Sequence, residues 1–479
     1  MKYEVVMGLE VHVELATQTK LFCSCSAHFG ADANQNTCPA CVGMPGMPAV
    51  LNKGAVELAI AAALVTNSKI TPVMTFDKKN YFYPDLPTGY QITQLFAPIC
   101  RDGWVDIEVA SETRRITLKQ IHIEEDAGKM VHDGRIGASL VDYNRASVPL
   151  VEIVSNPDFR TAEEVIAYLE KLRLLLSFAG VSDCKMQEGS MRCDVNISVR
   201  PFGQAEYGTR TEIKNMNSLK AITAAIAHES QRHIDLIEGG RGDELVQETR
   251  RWDDDIAATF SMREKEAEAD YRYFPNPEIL PVTIHEGWIS HVRAILPEPS
   301  HKKFARLTGE LGLSDYDAGI ITGSKTLSDI FDGTMRHFPK AKEVVNWIIV
   351  ELLAIAKGDN KGEDDVSIDC EKFAAVMELV DSKKVNRATG KKLLSLVWKD
   401  NIDPVAYVEE NNLGMVQDDG LVQSLVAQVL VEFAASVQEY REGNAKAYNF
   451  LVGQTMRKLA GKADPAAVNA ELKRQLEGQ

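Results

Sequence analysis

Hydrophobic and polar residues alternate in the first strand-like segment of the chain, residues 7–15. This period of two places Glu10, His12 and Glu14 on one face and apolar residues on the other. We therefore predict a β-strand with one apolar face and one face that carries acids and a histidine.

Two later segments, 191–200 and 209–215, alternate in the same way and are joined by a turn-like stretch. The polar residues that share a face are Arg192, Asp194, Asn196 and Ser198 in the first segment, and Arg210, Glu212 and Lys214 in the second. We predict an antiparallel hairpin with both polar faces on the same side. A further acidic run, Glu124-Glu125-Asp126, ends another strand-like segment. The histidines that flank this run are treated as structural.

Helical periodicity predicts three helices in the first half, at 52–66, 161–179 and 217–237. Thr161 and Glu164 have the spacing of a capping box at the start of the second. After about residue 290 the chain is helical almost throughout, and Ser300 is a suitable N-cap. Helices are predicted there at 300–311, 316–321, 325–337, 340–356, 369–380, 383–398, 404–410, 419–440, 442–459 and 465–476.

These elements predict an α+β protein of three domains, since 479 residues exceed what one core usually holds. Residues 1–292 would form a domain of mixed or antiparallel sheet with helices. Residues 293–403 would form an all-α helical domain, and residues 404–479 a small helical tail domain.

The formal net charge of −16 argues against a general nucleic-acid binder, but the charge is unevenly distributed. Residues 441–479 carry seven lysines and arginines against four acids, so a local basic patch is compatible with the acidic total. The sequence contains no apolar run of the roughly 18–20 residues that span a bilayer. We expect a soluble, cytoplasmic protein.

Four of the eight cysteines lie within residues 23–41, as the pairs Cys23/Cys25 and Cys38/Cys41. Two close pairs separated by a loop suit tetrahedral zinc. Four protein ligands would leave no open position, so the predicted zinc knuckle is structural. The alternative is four reduced thiols that are clustered by chance.

The polar strand faces are the second source of candidate chemistry. Carboxylates with an imidazole can bind Mg²⁺ or Mn²⁺, and basic side chains beside them suit phosphate oxygens. The pattern therefore predicts a metal–nucleotide or phosphate site. The alternative is that these residues are only the solvent faces of half-exposed strands. The sequence lacks a P-loop, a GxGxxG stretch, an HExxH motif and a recognisable nucleophile arrangement.

Long stretches of the chain resemble the B subunits (GatB) of the tRNA-dependent amidotransferases, and the resemblance covers essentially the whole sequence. The stretches that carry it are GLEVHVEL (8–15), CPACVGMPG (38–46), FDKKNYFYPDLPTGYQITQ (76–94), IHIEEDAGK (121–129), SLVDYNRASVPLVEIVSNPDFR (139–160), GVSDCKMQEGSMRCDVNISVRP (180–201), GTRTEIKNMNS (208–218), QETRRWD (247–253), DYRYFP (270–275) and residues 450–473.

This resemblance implies a first domain like the cradle related to glutamine synthetase, and a tail domain that binds tRNA. The implied enzyme activates the side-chain carboxylate of misacylated Glu-tRNA(Gln) or Asp-tRNA(Asn) with ATP and Mg²⁺, giving an acyl phosphate that ammonia converts to the amide. The implied partners are an amidase A subunit, which supplies ammonia from glutamine, and a small C subunit, in a heterotrimer without membrane contact.

The resemblance also implies roles for individual residues. Those implied to be catalytic are Glu10, His12, Glu125, Asp194 and Glu212, with Glu10, His12 and Glu125 as Mg²⁺ ligands. Those implied to bind ATP phosphates or the tRNA 3′ end are Glu124, Lys79, Arg192, Arg210 and Lys214. The four knuckle cysteines match a structural zinc site of many members. Gln187 stands where the family more often has an acid.

Two other functions are compatible with parts of the sequence. A free-standing ligase that joins small carboxylates to amines would have no need of the helical tail. A zinc-bearing RNA-binding subunit without catalysis would not need the acidic strand faces, which would repel phosphate in the absence of a metal ion.

Overall fold

A computed structural model describes residues 2–134, 137–264, 268–415, 419–459 and 465–477. It divides into two compact units, Met1–Ser300 and His301–Gln479. The first unit contains the strands together with four helices, and the described part of the second is helical. This confirms the predicted α+β class.

The strands are β1 Tyr3–Glu14, β2 Lys69–Ile70, β3 Val73–Met74, β4 Asp77–Asn80, β5 Tyr90–Thr93, β6 Cys100–Val109, β7 Glu112–Glu125, β8 Lys129–Asp133, β9 Ala138–Asp142, β10 Pro149–Ser155, β11 Met191–Pro201, β12 Thr211–Lys214, β13 Glu248–Asp253, β14 Ala258–Glu264, β15 Phe274–Pro275 and β16 Val282–Thr283.

The helices are α1 Lys53–Val65, α2 Ala162–Phe178, α3 Leu219–Glu238, α4 Glu286–Ile295, α5 Ser300–Gly309, α6 Asp315–Gly323, α7 Lys325–Met335, α8 Ala341–Asn346, α9 Leu353–Gly358, α10 Cys370–Asp381, α11 Arg387–Asp400, α12 Pro404–Glu410, α13 Asp419–Glu432, α14 Ala434–Arg441, α15 Ala445–Lys458 and α16 Pro465–Glu477. A π-helical segment, Trp347–Leu352, joins α8 to α9.

Nine strands form the main sheet of the first unit, in the order β14-β13-β12-β11-β1-β10-β7-β6-β2. All neighbouring pairs are antiparallel except β12 and β13, which are parallel. The predicted hairpin is confirmed, because β11 pairs antiparallel with β12. β1 lies between β11 and β10, near the middle of the sheet.

The apolar face of this sheet packs against α1, α2 and α3 to form the core of the first unit. On β1, Leu9, Val11 and Val13 are almost fully buried in that core. Because strand residues alternate between faces, Glu10 and His12 are held on the opposite face. The core therefore positions the polar groups without contributing to their chemistry.

Most helix predictions are confirmed, including the capping box of Thr161 and Glu164 at the start of α2. The predicted helix 419–440 is instead two helices, α13 and α14, bent by 86° at a break between them. The helix α4 was not predicted. It begins at Glu286 with the His285 side chain as its N-cap, an uncommon cap that the sequence rules do not anticipate.

The described residues of the second unit form two hydrophobic clusters. One spans Leu307 to Val408 and the other spans Val422 to Leu476. The division into three domains at 292 and 403 stays a prediction. Within the described residues no single helix is long and apolar enough to cross a membrane, and only the bent pair α13 and α14 meets that criterion together, by length and composition alone.

Candidate active site

His12, Glu124 and Glu152 come together on the polar face of the sheet. The pairing register places His12 of β1 directly opposite Glu152 of β10, and Glu152 opposite His122 of β7. His12 Nε2 lies 3.4 Å from a Glu152 oxygen and 3.8 Å from a Glu124 oxygen. One ligand atom from each of His12, Glu124 and Glu152 lies within 4.8 Å of the others, close enough to share one cation. We call these three residues the first cluster.

His122 supports the first cluster from the side of β7. Its Nε2 lies 3.0 Å from Glu152 and 3.2 Å from Glu124. Burial would lower the pKa of His122, but the charges and hydrogen bonds of the two glutamates outweigh it and raise the pKa to about 10. The same contacts lower the pKa of Glu152 well below its usual range despite burial. Both glutamates are therefore held as carboxylates.

Glu10, Asp194 and Glu212 form a second cluster, where Glu10 lies two residues before His12 on β1. Glu10 is opposite Asp194 of β11, and the three carboxylates bring ligand atoms within 4.8 Å of one another. Asn196 Nδ2 donates to Glu10 at 2.9 Å, and Thr249 Oγ1 donates to Glu212 at 2.7 Å. Asn196 is on β11, next to β1, and Thr249 is on β13, next to β12. Each hydrogen bond therefore holds a carboxylate, Glu10 or Glu212, from an adjacent strand. We call Glu10, Asp194 and Glu212 the second cluster.

A cleft of about 580 Å³ lies beside the second cluster, where Asp194 forms part of its wall. Residues that line it include Glu14, Lys129, Arg145, Arg192, Asp194 and Asn215. Arg192 Nη2 donates to Asp126 at 2.6 Å, and Arg145 Nε lies 3.5 Å from the same carboxylate oxygen. Within the described part of the chain the buried Arg192 Nε has no hydrogen-bond partner. The Arg192 side chain is 34% exposed, so the outer part of its guanidinium can donate to a ligand in the cleft.

Glu124 and Glu125 lie on opposite faces of β7, because adjacent residues in a strand point to opposite sides. Glu124 belongs to the first cluster, whereas Glu125 accepts a hydrogen bond from Ile92 N at 2.9 Å. Burial raises the pKa of Glu125 to about 7. Its side chain lines a different cavity, together with Cys23 and Cys41. The structure therefore brings Glu124 rather than Glu125 to His12.

Lys214 lies beside the second cluster, where its ammonium contacts Asp194 and Glu212. Lys79 is held by two aromatic rings, with Nζ 4.9 Å from the centre of the Tyr271 ring and 5.8 Å from that of Tyr81. Arg210 immediately precedes β12 and is exposed. The structure thus brings Lys214 into the candidate site and leaves Arg210 on the surface.

Sequence reasoning missed Glu152 and His122. Glu152 is the only charged residue of β10, in a strand whose other members are buried or apolar. A lone acid in such a strand is the signal that could have identified it. For His122, the signal was its period-two relation to Glu124 on β7.

The four knuckle cysteines bring one sulfur each within 4.8 Å of the others, which fits a tetrahedral metal site. A hydrogen bond from the Cys23 thiol lowers the pKa of Cys41 to about 4, with smaller contributions from Cys38 N–H and the Lys20 charge. Lys20 is completely buried, and its Nζ lies 3.5 Å from Cys41 Sγ. A buried ammonium beside a sulfur suits a thiolate that binds a metal ion such as zinc.

Comparison with known proteins decides the family. Residues 5–290 match the model of the GatB/GatE catalytic domain, and residues 329–476 match that of the GatB domain. The chain belongs to the GatB family. The chain is similar over 98% of both lengths to the aspartyl/glutamyl-tRNA(Asn/Gln) amidotransferase subunits B of Lachnoclostridium phytofermentans (52% identical) and Agathobacter rectalis (49%). That of Caldicellulosiruptor bescii is 46% identical over the full length of both chains.

Membership of the GatB family confirms the predicted role as a subunit of a tRNA-dependent amidotransferase, which is a carbon–nitrogen ligase. Both carboxylate clusters lie in the part of the chain that matches the GatB/GatE catalytic domain. The donor sets, carboxylate oxygens with one imidazole and carboxylate oxygens alone, are those that Mg²⁺ or Mn²⁺ accepts.

Proposed function

We propose that this chain catalyses the ATP-dependent amidation of misacylated Glu-tRNA(Gln), Asp-tRNA(Asn) or both. The observation that supports this most is the arrangement of two carboxylate clusters side by side on one sheet face, the second of which borders a cleft lined by Arg145 and Arg192. Carboxylates alone would repel a nucleotide. Together with divalent ions they form a phosphoryl-transfer site.

The proposed reaction has two steps. The side-chain carboxylate of the aminoacyl group attacks the γ-phosphorus of ATP, which forms an acyl phosphate and releases ADP. Ammonia then attacks the acyl carbon, and phosphate leaves with its bonding electrons to give the amide. The first step is needed because a carboxylate is a poor electrophile, whereas an acyl phosphate has a good leaving group.

The residues of the chain have distinct proposed roles in these steps. His12, Glu124 and Glu152 would hold one Mg²⁺, and Glu10, Asp194 and Glu212 a second. The ions, when bound, would neutralise the developing charge on the phosphate oxygens. Arg192 would donate from the exposed part of its guanidinium to a phosphate or carboxylate oxygen, while Asp126 keeps the guanidinium in place.

We also propose partner subunits and a structural zinc site. Ammonia would come from an amidase A subunit that hydrolyses glutamine, with a small C subunit completing a heterotrimer. The basic residues of 441–479 would contact tRNA. Zinc bound by Cys23, Cys25, Cys38 and Cys41 would have a structural role, because four sulfurs complete its coordination.

The test separates amidation from ammonia supply in the assembled complex. Glu152→Gln and Asp194→Asn should each reduce ATP-dependent amidation by several orders of magnitude, with glutamine or ammonium chloride as nitrogen donor. Glutaminase activity and subunit assembly should be retained. The matched control is Glu108→Gln, since Glu108 is an exposed acid of the same sheet. Undiminished amidation by either site variant would contradict the proposal.

A further inference from the structure

The second cluster differs from the first in the cation that its carboxylates already contact. Lys214, the last residue of β12, donates to Asp194 Oδ2, and its Nζ lies 3.3 Å from Glu212 Oε1. The charge of Glu10 acts on the same ammonium. The Lys214 ammonium thus contacts two of the three carboxylates that would bind a divalent ion and is attracted by the charge of the third.

An ammonium and a divalent ion cannot use these oxygens together. Lys214 already contacts one oxygen of Asp194 and one of Glu212, and a second cation at coordination distance from the same carboxylates would repel its ammonium. The lysine also offsets the mutual repulsion of three acids on adjacent strands. A metal ion that enters must therefore displace Lys214.

Lys214 can leave the second cluster, whereas the first cluster can accept an ion with His122 in place. The Lys214 side chain is 36% exposed and has a flexible four-carbon stem, and both its contact Asp194 and its chain neighbour Asn215 line the cleft of about 580 Å³. In the first cluster, His122 contacts Glu124 and Glu152 through their Oε2 atoms, whereas Glu124 Oε1 faces His12 and is left for an ion. A phosphate oxygen in the cleft would give the displaced ammonium a new charged partner.

We propose that Lys214 keeps the second cluster closed to metal ions until a phosphate group draws its ammonium away. This inference rests on the proposed function. The first cluster then binds its ion without nucleotide, and the second binds an ion only together with the triphosphate. The pair of ions assembles only around the substrate that needs them.

Titration with Mn²⁺ of the full-length protein in its complex, followed by electron paramagnetic resonance, tests the inference without measuring activity. Without nucleotide, the wild-type protein should bind one Mn²⁺ tightly per chain. Lys214→Met should bind two, with an affinity at the second site roughly tenfold or more higher than in the wild type. Lys214→Arg, which keeps the positive charge, should bind one Mn²⁺ tightly, as the wild type does.

Arg251→Met is the matched control for loss of a nearby positive charge. Arg251 is opposite Lys214 on β13 but pairs with Asp253, so the variant should bind one Mn²⁺.

If Lys214→Met does not fold, Lys214→Gln takes its place, and the wild type should gain the second Mn²⁺ when a non-hydrolysable ATP analogue is added. Identical isotherms for Lys214→Met and the wild type, with one or two ions in both, overturn this inference alone. Absence of tight Mn²⁺ binding in every variant would instead overturn the metal sites of the proposed function.

Discussion

At the scale of single residues, neighbouring positions on a strand have different functions because they face opposite ways. Alternation predicted the shared face of Glu10 and His12 from the sequence alone, and the structure places both there. The same rule distinguishes Glu124 from Glu125, yet the acidic run was interpreted from resemblance and not from its phase relative to His122. Glu152 was not predicted because a single acid in an apolar strand produces no alternation.

This difference between two adjacent glutamates gives a direct prediction. Glu124→Gln should lower Mn²⁺ affinity by about tenfold or more, because it removes a charged oxygen from the first cluster. Glu125→Gln should leave Mn²⁺ affinity unchanged, since its carboxylate lies on the other face of β7. Calorimetric Mn²⁺ titration of both variants decides the matter. Equal loss of affinity in the two would show that Glu125 is a ligand after all.

At the scale of elements, the sheet was predictable where one face packs on the core, as in β1 and β11, since burial of that face enforces the alternation. The parallel pairing of β12 with β13 was not predictable, because it depends on the long connection through α3. The break between α13 and α14 was also hidden, since both helices have continuous helical periodicity and no proline or glycine marks Phe433.

One buried acid, Glu229 of α3, holds this helix against the strands β13 and β14. Glu229 is fully buried, accepts from Arg232 Nε at 2.9 Å and from Thr259 Oγ1 at 2.8 Å, and contacts His233. Burial raises its pKa, but these donors outweigh burial and lower the pKa from 4.5 to about 2. A lowered pKa stabilises the fold above the unfolded value, and that stabilisation is lost as the pH falls from about 4.5 to about 2.

We therefore expect Glu229→Gln to destabilise the first unit by about 3 kcal/mol at pH 7. The difference from the wild type should shrink as the pH falls from about 5 to about 2. Urea unfolding at several pH values measures it. Glu238→Gln, at the exposed end of the same helix, should change stability by less than about 0.5 kcal/mol. A wild-type advantage that persists unchanged at pH 2 would refute this assignment.

The knuckle offers a prediction about metal affinity. Lys20 is buried and donates to both Cys41 Sγ and Tyr143 O, so it compensates negative charge on the sulfurs. Lys20→Met keeps the packing and removes this charge, and should lower zinc affinity roughly ten- to hundredfold. Competition with a chromogenic chelator measures the effect, with exposed Lys53→Met as the control. Zinc affinity equal to the wild type would mean that Lys20 has no such role.

At the scale of the whole molecule, the net charge of −16 is a poor guide to partners. Part of the acidic excess belongs to the two carboxylate clusters, which metal ions would neutralise, and the basic excess lies near the end of the chain. The helical half was predictable from periodicity, but how its helices divide into cores was not. α12 begins at Pro404, inside the predicted tail, yet its Val408 belongs to the hydrophobic cluster of the preceding helices.

That packing indicates where the tail can be removed. Deletion of residues 416–479 leaves Val408 and the cluster around it intact, and removes the cluster that contains Val426, Leu451 and Leu472. In the assembled complex we expect the KM for misacylated tRNA to rise about tenfold or more, with glutaminase activity unchanged. Neutralising the exposed Arg441, Lys446 and Arg457 together should raise the KM by a smaller factor than the deletion does. An unchanged KM would remove the tail from tRNA binding.

The central claim is that the polar face of the sheet holds two metal ions for phosphoryl transfer. Anomalous diffraction from crystals of the complex soaked with Mn²⁺ and a non-hydrolysable ATP analogue tests it most directly. We expect one peak coordinated by His12, Glu124 and Glu152 and a second coordinated by Glu10, Asp194 and Glu212, with the triphosphate between them. A bound nucleotide with no Mn²⁺ at either cluster, or with Mn²⁺ bound only elsewhere, would contradict the account.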